Sequence, residues 1–137
     1  MTLELSRRDE MVQVELGDAK IECKPYRATH YTIAKMKTLK ALEGLKNQRK
    51  EELEMGVETT VPDLSDNEIY LGMYTHIFNV EVAKQVILSW DGVSLNGEPA
   101  KLTPENITRL LEDGFLQEQF IGQFMKLQKE VEAEKKS

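Results

Sequence analysis

The apolar side chains of this chain recur every second residue near its start and every third or fourth residue over most of the remainder. Apolar and polar residues alternate over 11–16 and again over 21–24, with Gly17-Asp18 between the two runs. A period of two is typical of a half-buried strand, and Gly and Asp favour a tight turn. Residues 11–24 are therefore predicted to form a β-hairpin.

A β-hairpin alone is marginally stable in water, so this one is expected to pair with a further strand or to pack on helices. Within the chain, the candidate strands are residues 93–95 and 100–102. A second copy of the protein is the other candidate, because an exposed strand edge invites pairing.

A first long helix is predicted from about residue 30 to 55, with Thr29 as its N-cap and Gly56 at its C-terminal end. Residues 56–64 lack periodicity and are predicted to form a mobile loop. The apolar side of the helix is expected to consist of Ile33, Met36, Leu39, Leu42, Leu45 and Leu53.

A second long helix is predicted from Ile69 to Trp90, after a capping box formed by Ser65 and Glu68. Apolar residues occupy two neighbouring stripes of this segment. A helix that is apolar on more than one side is usually buried by several neighbours, so this helix is expected to be the central one.

Turn signals follow this helix in close succession. Asn-Gly adopts positive φ at little cost, which is typical of a hairpin turn. We therefore expect a structural turn motif made of Trp90, Asp91, Gly92, Asn96, Gly97 and Pro99.

Two more helices are predicted toward the C-terminus. Thr103 is the expected N-cap of a short helix that begins with Pro104 and ends at Gly114. The last helix is predicted over residues 115–131. One apolar stripe of this last helix consists of Leu116, Phe120, Phe124, Leu127 and Val131.

These elements predict an α+β fold that is mainly helical, with an N-terminal β-hairpin or small sheet and about four helices. The chain has 137 residues, of which 40% are hydrophobic and 31% charged, a size and composition that fit one ordered domain. The ends, residues 1–9 and 132–137, are expected to be flexible.

Composition also bears on location. No apolar run approaches the roughly 18 residues of a membrane span, and the first residues lack the pattern of a secretory signal. The single cysteine, Cys23, excludes an intrachain disulfide and is compatible with a reducing compartment. A cytoplasmic protein without membrane contact is therefore expected.

Charge is divided into two blocks along the chain. Residues 20–50 contain nine Lys or Arg and two Glu, whereas residues 51–81 contain eight Asp or Glu and no Lys or Arg. The favoured interpretation is that the two blocks attract each other, within the chain or across a subunit contact. A basic face for nucleic acid is the alternative, but the net charge of −6 and the few interleaved aromatic residues do not favour it.

Candidate chemistry is sparse. The two histidines, His30 and His76, do not have metal-ligand spacing, and Cys23 lies at an inward strand position, where a small buried residue is expected. A catalytic dyad of Cys23 and His76 is the alternative to purely structural roles for these residues. No catalytic residue, metal or other cofactor is predicted, so a non-enzymatic binding protein is expected.

The last helix offers candidate interaction residues. Its apolar face is wider than a short helix needs for packing, so it either completes the core or forms a groove for another protein chain. The candidate residues are Phe115, Leu116, Phe120, Phe124 and Leu127.

One stretch of the chain resembles a known family. The sequences VILSWDGV at 86–93, NGEP at 96–99 and LTPENI at 102–107, followed by Leu110-Leu111, are similar to the signature of the tail assembly chaperones of long-tailed phages. Those proteins combine a Trp-x-Gly-Val turn, a Gly-x-Pro turn and a helix that starts with Ser/Thr-Pro-Glu.

The resemblance implies that the protein binds the tape measure protein of a siphovirus-type phage or prophage and keeps it soluble. It also implies recruitment of the tail tube protein, self-association, location in the host bacterial cytoplasm and absence from the mature virion. A small structural virion protein, such as a head–tail connector or tail completion protein, is the alternative.

Overall fold

The computed structural model describes residues 11–136, with side chains described up to residue 130, so the predicted flexible segment 1–9 lies outside the described residues. Over the described residues it contains four helices and five short strands, and the predicted mainly helical α+β class is confirmed. In chain order the elements are β1 (Val12–Leu16), β2 (Ala19–Cys23), α1 (Ala28–Glu54), α2 (Asn67–Val86), β3 (Ile87–Asp91), β4 (Ser94–Leu95), β5 (Glu98–Pro99), α3 (Pro104–Leu111) and α4 (Gly114–Lys136).

Contacts group the chain into two compact units, whereas the sequence predicts one domain. The sheet unit combines the residues up to 27 with residues 83–137, and the helical unit consists of residues 28–82. In the part of the chain that the structure describes, no helix is long and apolar enough to cross a membrane.

The sheet unit is built on the predicted hairpin. β1 and β2 pair antiparallel with Leu16 opposite Ala19, which leaves Gly17-Asp18 as a two-residue loop with Gly17 at φ 58°. Buried and exposed residues alternate along both strands, so one face of the sheet is apolar and the other is polar. The hairpin predicted for residues 11–24 is confirmed.

The third strand is not either of the segments that the sequence predicts. β3 pairs antiparallel with β2, in the order β1-β2-β3, while β4 and β5 pair only with each other among the described residues. The prediction of a helix as far as Trp90 is therefore wrong by four residues. The Lys24 N–H donates to the Val86 carbonyl at 2.8 Å, where the helix ends and the strand begins.

A short apolar run such as residues 87–91 can form a helix or a strand. Here it forms a strand because it pairs with the open edge of β2. The pairing contains a register shift between Glu22 and Cys23, so that Cys23 lies opposite Ile87 and Glu22 lies opposite Ser89.

The core of the sheet unit lies between the apolar face of the sheet and the C-terminal helices. α4 packs on β1, and α3 packs on α4. The buried apolar residues of this unit are Val12, Val14, Leu16, Ala19, Ile21, Cys23, Ala83, Val86, Ile87, Ile107, Leu111, Phe120 and Phe124.

In the helical unit, α1 and α2 run antiparallel and contact each other through aromatic rings. Tyr31 near the start of α1 packs edge-on against Phe78, with ring centroids 5.6 Å apart. Near the end of α1, the Lys46 ammonium lies 5.2 Å from the centre of the Tyr70 ring. Tyr74 stacks on Phe78 at 5.9 Å and lies beside Tyr70 at 6.4 Å, which forms a ladder of rings along α2.

Burial along α2 is uneven, which corrects the prediction of a helix buried on several sides. Val80, Val82 and Val86 are buried, whereas Ile69 and Leu71 in the first turns are exposed. The apolar stripes of this segment therefore do not all face a core.

Two of the predicted helix caps are wrong. α1 begins at Ala28, so Thr29 lies inside it. At the start of α2, the Asp66 carboxylate accepts the N–H groups of Glu68 and Ile69 at 2.9 and 3.2 Å, whereas the Ser65 hydroxyl donates to Asp63 at 2.7 Å. Aspartate and serine are equally good N-cap residues, so the sequence alone does not distinguish Asp66 from the adjacent Ser65. The backbone conformation before the helix determines which of the two caps it.

The predicted C-terminal glycine of α1 is confirmed. Gly56 has φ 72°, its N–H donates to the Leu53 carbonyl, and the Val57 N–H donates to the Glu52 carbonyl. This is the hydrogen-bond pattern of a Schellman motif, in which a left-handed residue closes the helix.

The loop that follows α1 is anchored at several points. The Arg49 guanidinium donates to the Val61 carbonyl at 2.6 Å, and the Thr59 hydroxyl donates to the Glu52 carboxylate at 2.7 Å. Val61 and Leu64 are buried. The segment predicted as a mobile loop is therefore tied to α1 by hydrogen bonds, and it buries two apolar residues that follow no helical or strand period.

Candidate interaction surfaces

The segment that carries the family resemblance forms a compact turn module in the sheet unit. The Trp90 indole N–H donates to the Ala100 carbonyl at 2.9 Å, which closes residues 90–100 into a loop. Within this loop, β4 and β5 form a hairpin whose two-residue turn is Asn96-Gly97, with φ 54° and 81°. Two successive positive φ values are those of a type I′ turn, which Asn-Gly favours.

Gly92 places the turn module against the β1–β2 hairpin. Its φ is 83°, and a Cβ atom built on it would lie 2.9 Å from the Asp18 carbonyl oxygen and 3.1 Å from the Ala19 Cα. Any side chain here would collide with backbone, so the close approach of the two turns requires glycine.

The start of α3 completes the module. Thr103 has extended backbone angles and its hydroxyl accepts the Asn106 N–H at 3.1 Å, while Pro104 occupies the first turn. The predicted N-cap is therefore confirmed. Gly114 does not end α3 as predicted: α3 stops at Leu111, and Gly114 is the first residue of α4.

A second cap, missed by the sequence analysis, separates these two helices. The Asp113 carboxylate accepts the N–H groups of Phe115 and Leu116 at 2.9 and 3.1 Å. An aspartate immediately before a glycine and an apolar run is a standard N-cap signal that the sequence already contained.

The structure separates the five candidate interaction residues of α4 into three groups. Phe120 and Phe124 are fully buried, and their rings stack with centroids 6.1 Å apart. Leu116 and Leu127 are half-buried on the same side of the helix. Phe115 is 67% exposed and is the member of this set that a partner can reach without unfolding.

Phe115 lies in the first turn of α4, with Glu112 and Asp113 just before the helix and Glu118 one turn further on, and we call these four residues the aromatic knob. Phe115 and Glu118 lie three residues apart and, together with Gln119 and Gly122, line a shallow groove of about 350 Å³. Residues spaced by three, four and seven share one side of a helix. The exposed aromatic ring therefore shares its side of α4 with the Glu118 carboxylate, while Glu112 and Asp113 come just before the helix, where the Asp113 carboxylate caps it.

Of the six residues predicted to form the apolar side of α1, Leu42 is buried and Leu45 half-buried, whereas Ile33, Met36, Leu39 and Leu53 are exposed. The buried residues of α1 are Ala34, Thr38 and Leu42, and the Thr38 hydroxyl is satisfied by the Ala34 carbonyl at 2.7 Å. The spacing of four in this small-residue stripe was a signal in the sequence. It was obscured by larger apolar residues on the other side of the helix.

Those larger residues form an exposed apolar ridge, which we define as Ile33, Met36 and Leu39. Met36 is 61% exposed, and the other two are also exposed. Lys35, Lys37 and Lys40 interleave with the ridge along the helix. Contiguous apolar side chains rimmed by charge are typical of a protein-binding surface.

A second exposed feature of the helical unit is a cleft of about 490 Å³ near the end of α1. We call it the basic cleft and define it by its lining residues, which are Lys46, Arg49, Lys50, Leu53, Asp63, Leu64 and Ser65. Its walls combine three cations with two leucines. Hydrogen bonds from Ser65 lower the pKa of the Asp63 carboxyl, so its single carboxylate is ionised at neutral pH.

Cys23 has the environment of a core residue. It is fully buried, and burial raises the pKa of its thiol to about 12. The thiolate is the nucleophilic form, and at neutral pH this thiol remains protonated. The buried position predicted for Cys23 is confirmed, and a nucleophilic role for it has no support in this environment.

The other candidate groups do not form a site for metal. His30 and His76 are half-buried. Among the residues that the structure describes, no three His, Cys, Asp or Glu side chains are grouped so that they could hold a metal ion.

Comparison with protein-family models, with curated proteins and with solved structures finds no match to this chain.

Proposed function

We propose that this protein is a tail assembly chaperone of a long-tailed, siphovirus-type phage or prophage. It binds the tape measure protein, keeps it soluble and helps to recruit the tail tube protein. In this proposal the protein has no enzymatic activity and needs no cofactor. It acts in the cytoplasm of the host bacterium and is absent from the mature virion.

The observation that supports this proposal best is the structural role of the residues that carry the family resemblance. Gly92 permits the close approach of two turns, Asn96-Gly97 forms the hairpin turn, and Thr103 caps α3. The signature therefore specifies one continuous module, in which Trp90 closes the loop. Residues that each satisfy a distinct backbone requirement are a stronger basis for a resemblance than composition.

The physical requirement of the client also fits the exposed surfaces. A very long amphipathic helix aggregates unless its apolar stripe is covered. The apolar ridge on α1 presents Ile33, Met36 and Leu39 at intervals of three residues, which suits packing along a second helix. A methionine at its centre adapts to varied partners because its side chain is unbranched and polarisable.

We therefore assign client binding to the apolar ridge rather than to the buried stripe of α4. Phe120 and Phe124 contribute to the core of the sheet unit and cannot contact a client without unfolding it. A folded chaperone that binds repeatedly along a long client needs a surface that is exposed in its native state.

The test is co-expression with the tape measure protein encoded in the same tail gene cluster. The chain is expected to increase the soluble fraction of the tape measure protein and to co-purify with it. Met36→Asp should reduce co-purification at least tenfold, because it places a charge in the centre of the ridge. Leu71→Asp is the matched control, since Leu71 is equally exposed on α2, and it should retain binding.

Failure of the wild-type chain to bind or solubilise the tape measure protein would overturn the proposal. Mass spectrometry of purified phage particles provides an independent test, with the chain expected to be absent. Stoichiometric presence of the chain in the particles would instead identify a structural virion protein.

A further inference from the structure

We propose that copies of this protein associate head to tail, with the aromatic knob of one copy inserted into the basic cleft of the next. The proposal specifies the interface for the self-association included in the proposed function. The proposed function explains why self-association would be useful, but the contact itself involves no client and can be tested without one.

The two surfaces are complementary in charge. Lys46, Arg49 and Lys50 give the basic cleft three positive charges against the one carboxylate of Asp63. The aromatic knob carries three exposed carboxylates within three residues of Phe115, at Glu112, Asp113 and Glu118. Opposite potentials on two surfaces steer their encounter and fix the orientation of the complex.

The two surfaces are also complementary in shape and polarity. The cleft volume of about 490 Å³ is sufficient for a phenylalanine side chain, and Leu53 and Leu64 supply apolar wall. Phe115 is a large aromatic side chain that is 67% exposed at the first turn of a helix. An aromatic anchor that fills a pocket, within a charged rim, is the usual arrangement of a binding hot spot.

Two of the three cations of the cleft are oriented by contacts within the protein and still carry their charge. Arg49 donates to the Val61 carbonyl and Lys46 lies over the Tyr70 ring. These contacts orient both side chains at the cleft without neutralising their charge, so the desolvation of a carboxylate from the knob is offset by fixed positive groups.

The knob and the cleft are different surfaces of one chain, so the contact is heterologous. A heterologous contact leaves one free knob and one free cleft at the ends of every open oligomer, so it forms open arrays, or rings where the two ends meet. Each contact is small, so the association of an isolated pair is expected to be weak and to strengthen when an elongated client holds several copies in line.

The experiment is sedimentation velocity on the purified full-length chain and three variants. Wild type is expected to show a sedimentation coefficient that rises with concentration and falls as NaCl is raised from about 50 to 500 mM, because salt screens exposed charges. Phe115→Ala should weaken self-association at least tenfold. Lys46→Glu combined with Lys50→Glu should have the same effect. Leu71→Ala, at an exposed apolar site outside both surfaces, should leave it unchanged within twofold.

Mixing the two defective variants separates this arrangement from other forms of association. The intact knob of the cleft variant can enter the intact cleft of the Phe115→Ala variant, so the mixture should form a dimer that does not extend further. A monomeric wild type, self-association that survives both sets of substitutions, or a mixture that remains monomeric would each overturn the proposal. Head-to-tail association without tape measure binding would overturn the proposed function alone.

Discussion

The side-chain amide of Gln123 in α4 forms two hydrogen bonds with the backbone N–H and C=O of Glu15 in β1. The Glu15 N–H donates to Gln123 Oε1 at 3.1 Å, and Gln123 Nε2 donates to the Glu15 carbonyl at 2.8 Å. The amide thereby reproduces the pairing that a neighbouring strand would provide. β1 is one of the two edge strands of the sheet, and Gln123 of α4 occupies backbone groups that would otherwise template pairing with another chain.

We expect Gln123→Ala to lower the free energy of unfolding by about 1–2 kcal/mol, because two hydrogen bonds to edge-strand backbone are lost. Gln119→Ala is the matched control, since Gln119 is an exposed glutamine one turn away on the same helix, and it should change stability by less than about 0.5 kcal/mol. Urea denaturation followed by circular dichroism measures both values. Equal effects of the two substitutions would contradict the edge-covering role of Gln123.

A second prediction concerns the close approach of the two turns in the sheet unit. Gly92→Ala should destabilise the protein by at least about 2 kcal/mol, because it adds a clash with the Asp18 carbonyl to the strain of a positive φ. Gly97 has a similar φ of 81° but no neighbour within 4 Å. Gly97→Ala should therefore lower the free energy of unfolding only by the cost of a positive φ for alanine, about 1 kcal/mol. Thermal unfolding of both variants tests the difference, and a Gly92 variant as stable as the Gly97 variant would exclude the contact.

The phenylalanines of α4 should respond to truncation according to their burial. Phe120→Ala is expected to lower the free energy of unfolding by about 3–5 kcal/mol, because it leaves a cavity in the core. Phe115→Ala should lower it by less than about 0.5 kcal/mol, since the ring is mostly exposed. Chemical denaturation measures both, and a large loss of stability in the Phe115 variant would contradict its assignment to an interaction surface.

The buried thiol predicts a pH dependence with a defined sign. The pKa of Cys23 rises from 9.0 to about 12 on folding because burial disfavours the thiolate. Between these values the unfolded chain loses the proton and the folded chain keeps it, so this group's contribution to stability is full below pH 9 and falls as the pH rises toward 12.

The measurement compares wild type with Cys23→Ala at pH 7 and pH 10.5. The wild type should lose about 2 kcal/mol more than the variant over this interval, at about 1.4 kcal/mol per pH unit above the ordinary pKa. An equal loss in both proteins would show that the thiol titrates normally in the folded state. The folded wild type should also react slowly with a thiol reagent at pH 8, with fast labelling only in denaturant.

Several features of this protein followed from residues close together in the chain. The β1–β2 hairpin came from a short alternating pattern around Gly17-Asp18, and the Gly56 and Thr103 caps from single residues at helix ends. In each case the partner lies nearby in the chain, at most eleven residues away for the hairpin pair Val12 and Cys23. Local sequence is therefore sufficient to specify the element.

Features that depend on distant partners were predicted wrongly or missed. The run from Ile87 to Asp91 continues a helical pattern, and it becomes a strand because β2, more than 60 residues earlier, offers an open edge. The hydrogen bonds between Gln123 and the edge strand β1 join residues that are 108 positions apart, and no pattern in the nearby sequence predicts them.

Tertiary packing also determines which side of a helix faces the interior. α1 carries large apolar residues on one side and Ala34, Thr38 and Leu42 on another, and its packing buries the second side, so that Met36 is exposed. The sequence by itself determined the local turns, the caps at Gly56 and Thr103 and the fold class, because the interactions of these turns and caps are short in range. Only the tertiary structure decided which apolar residues form the core and which remain exposed for a partner, because burial depends on close packing between segments far apart in the chain.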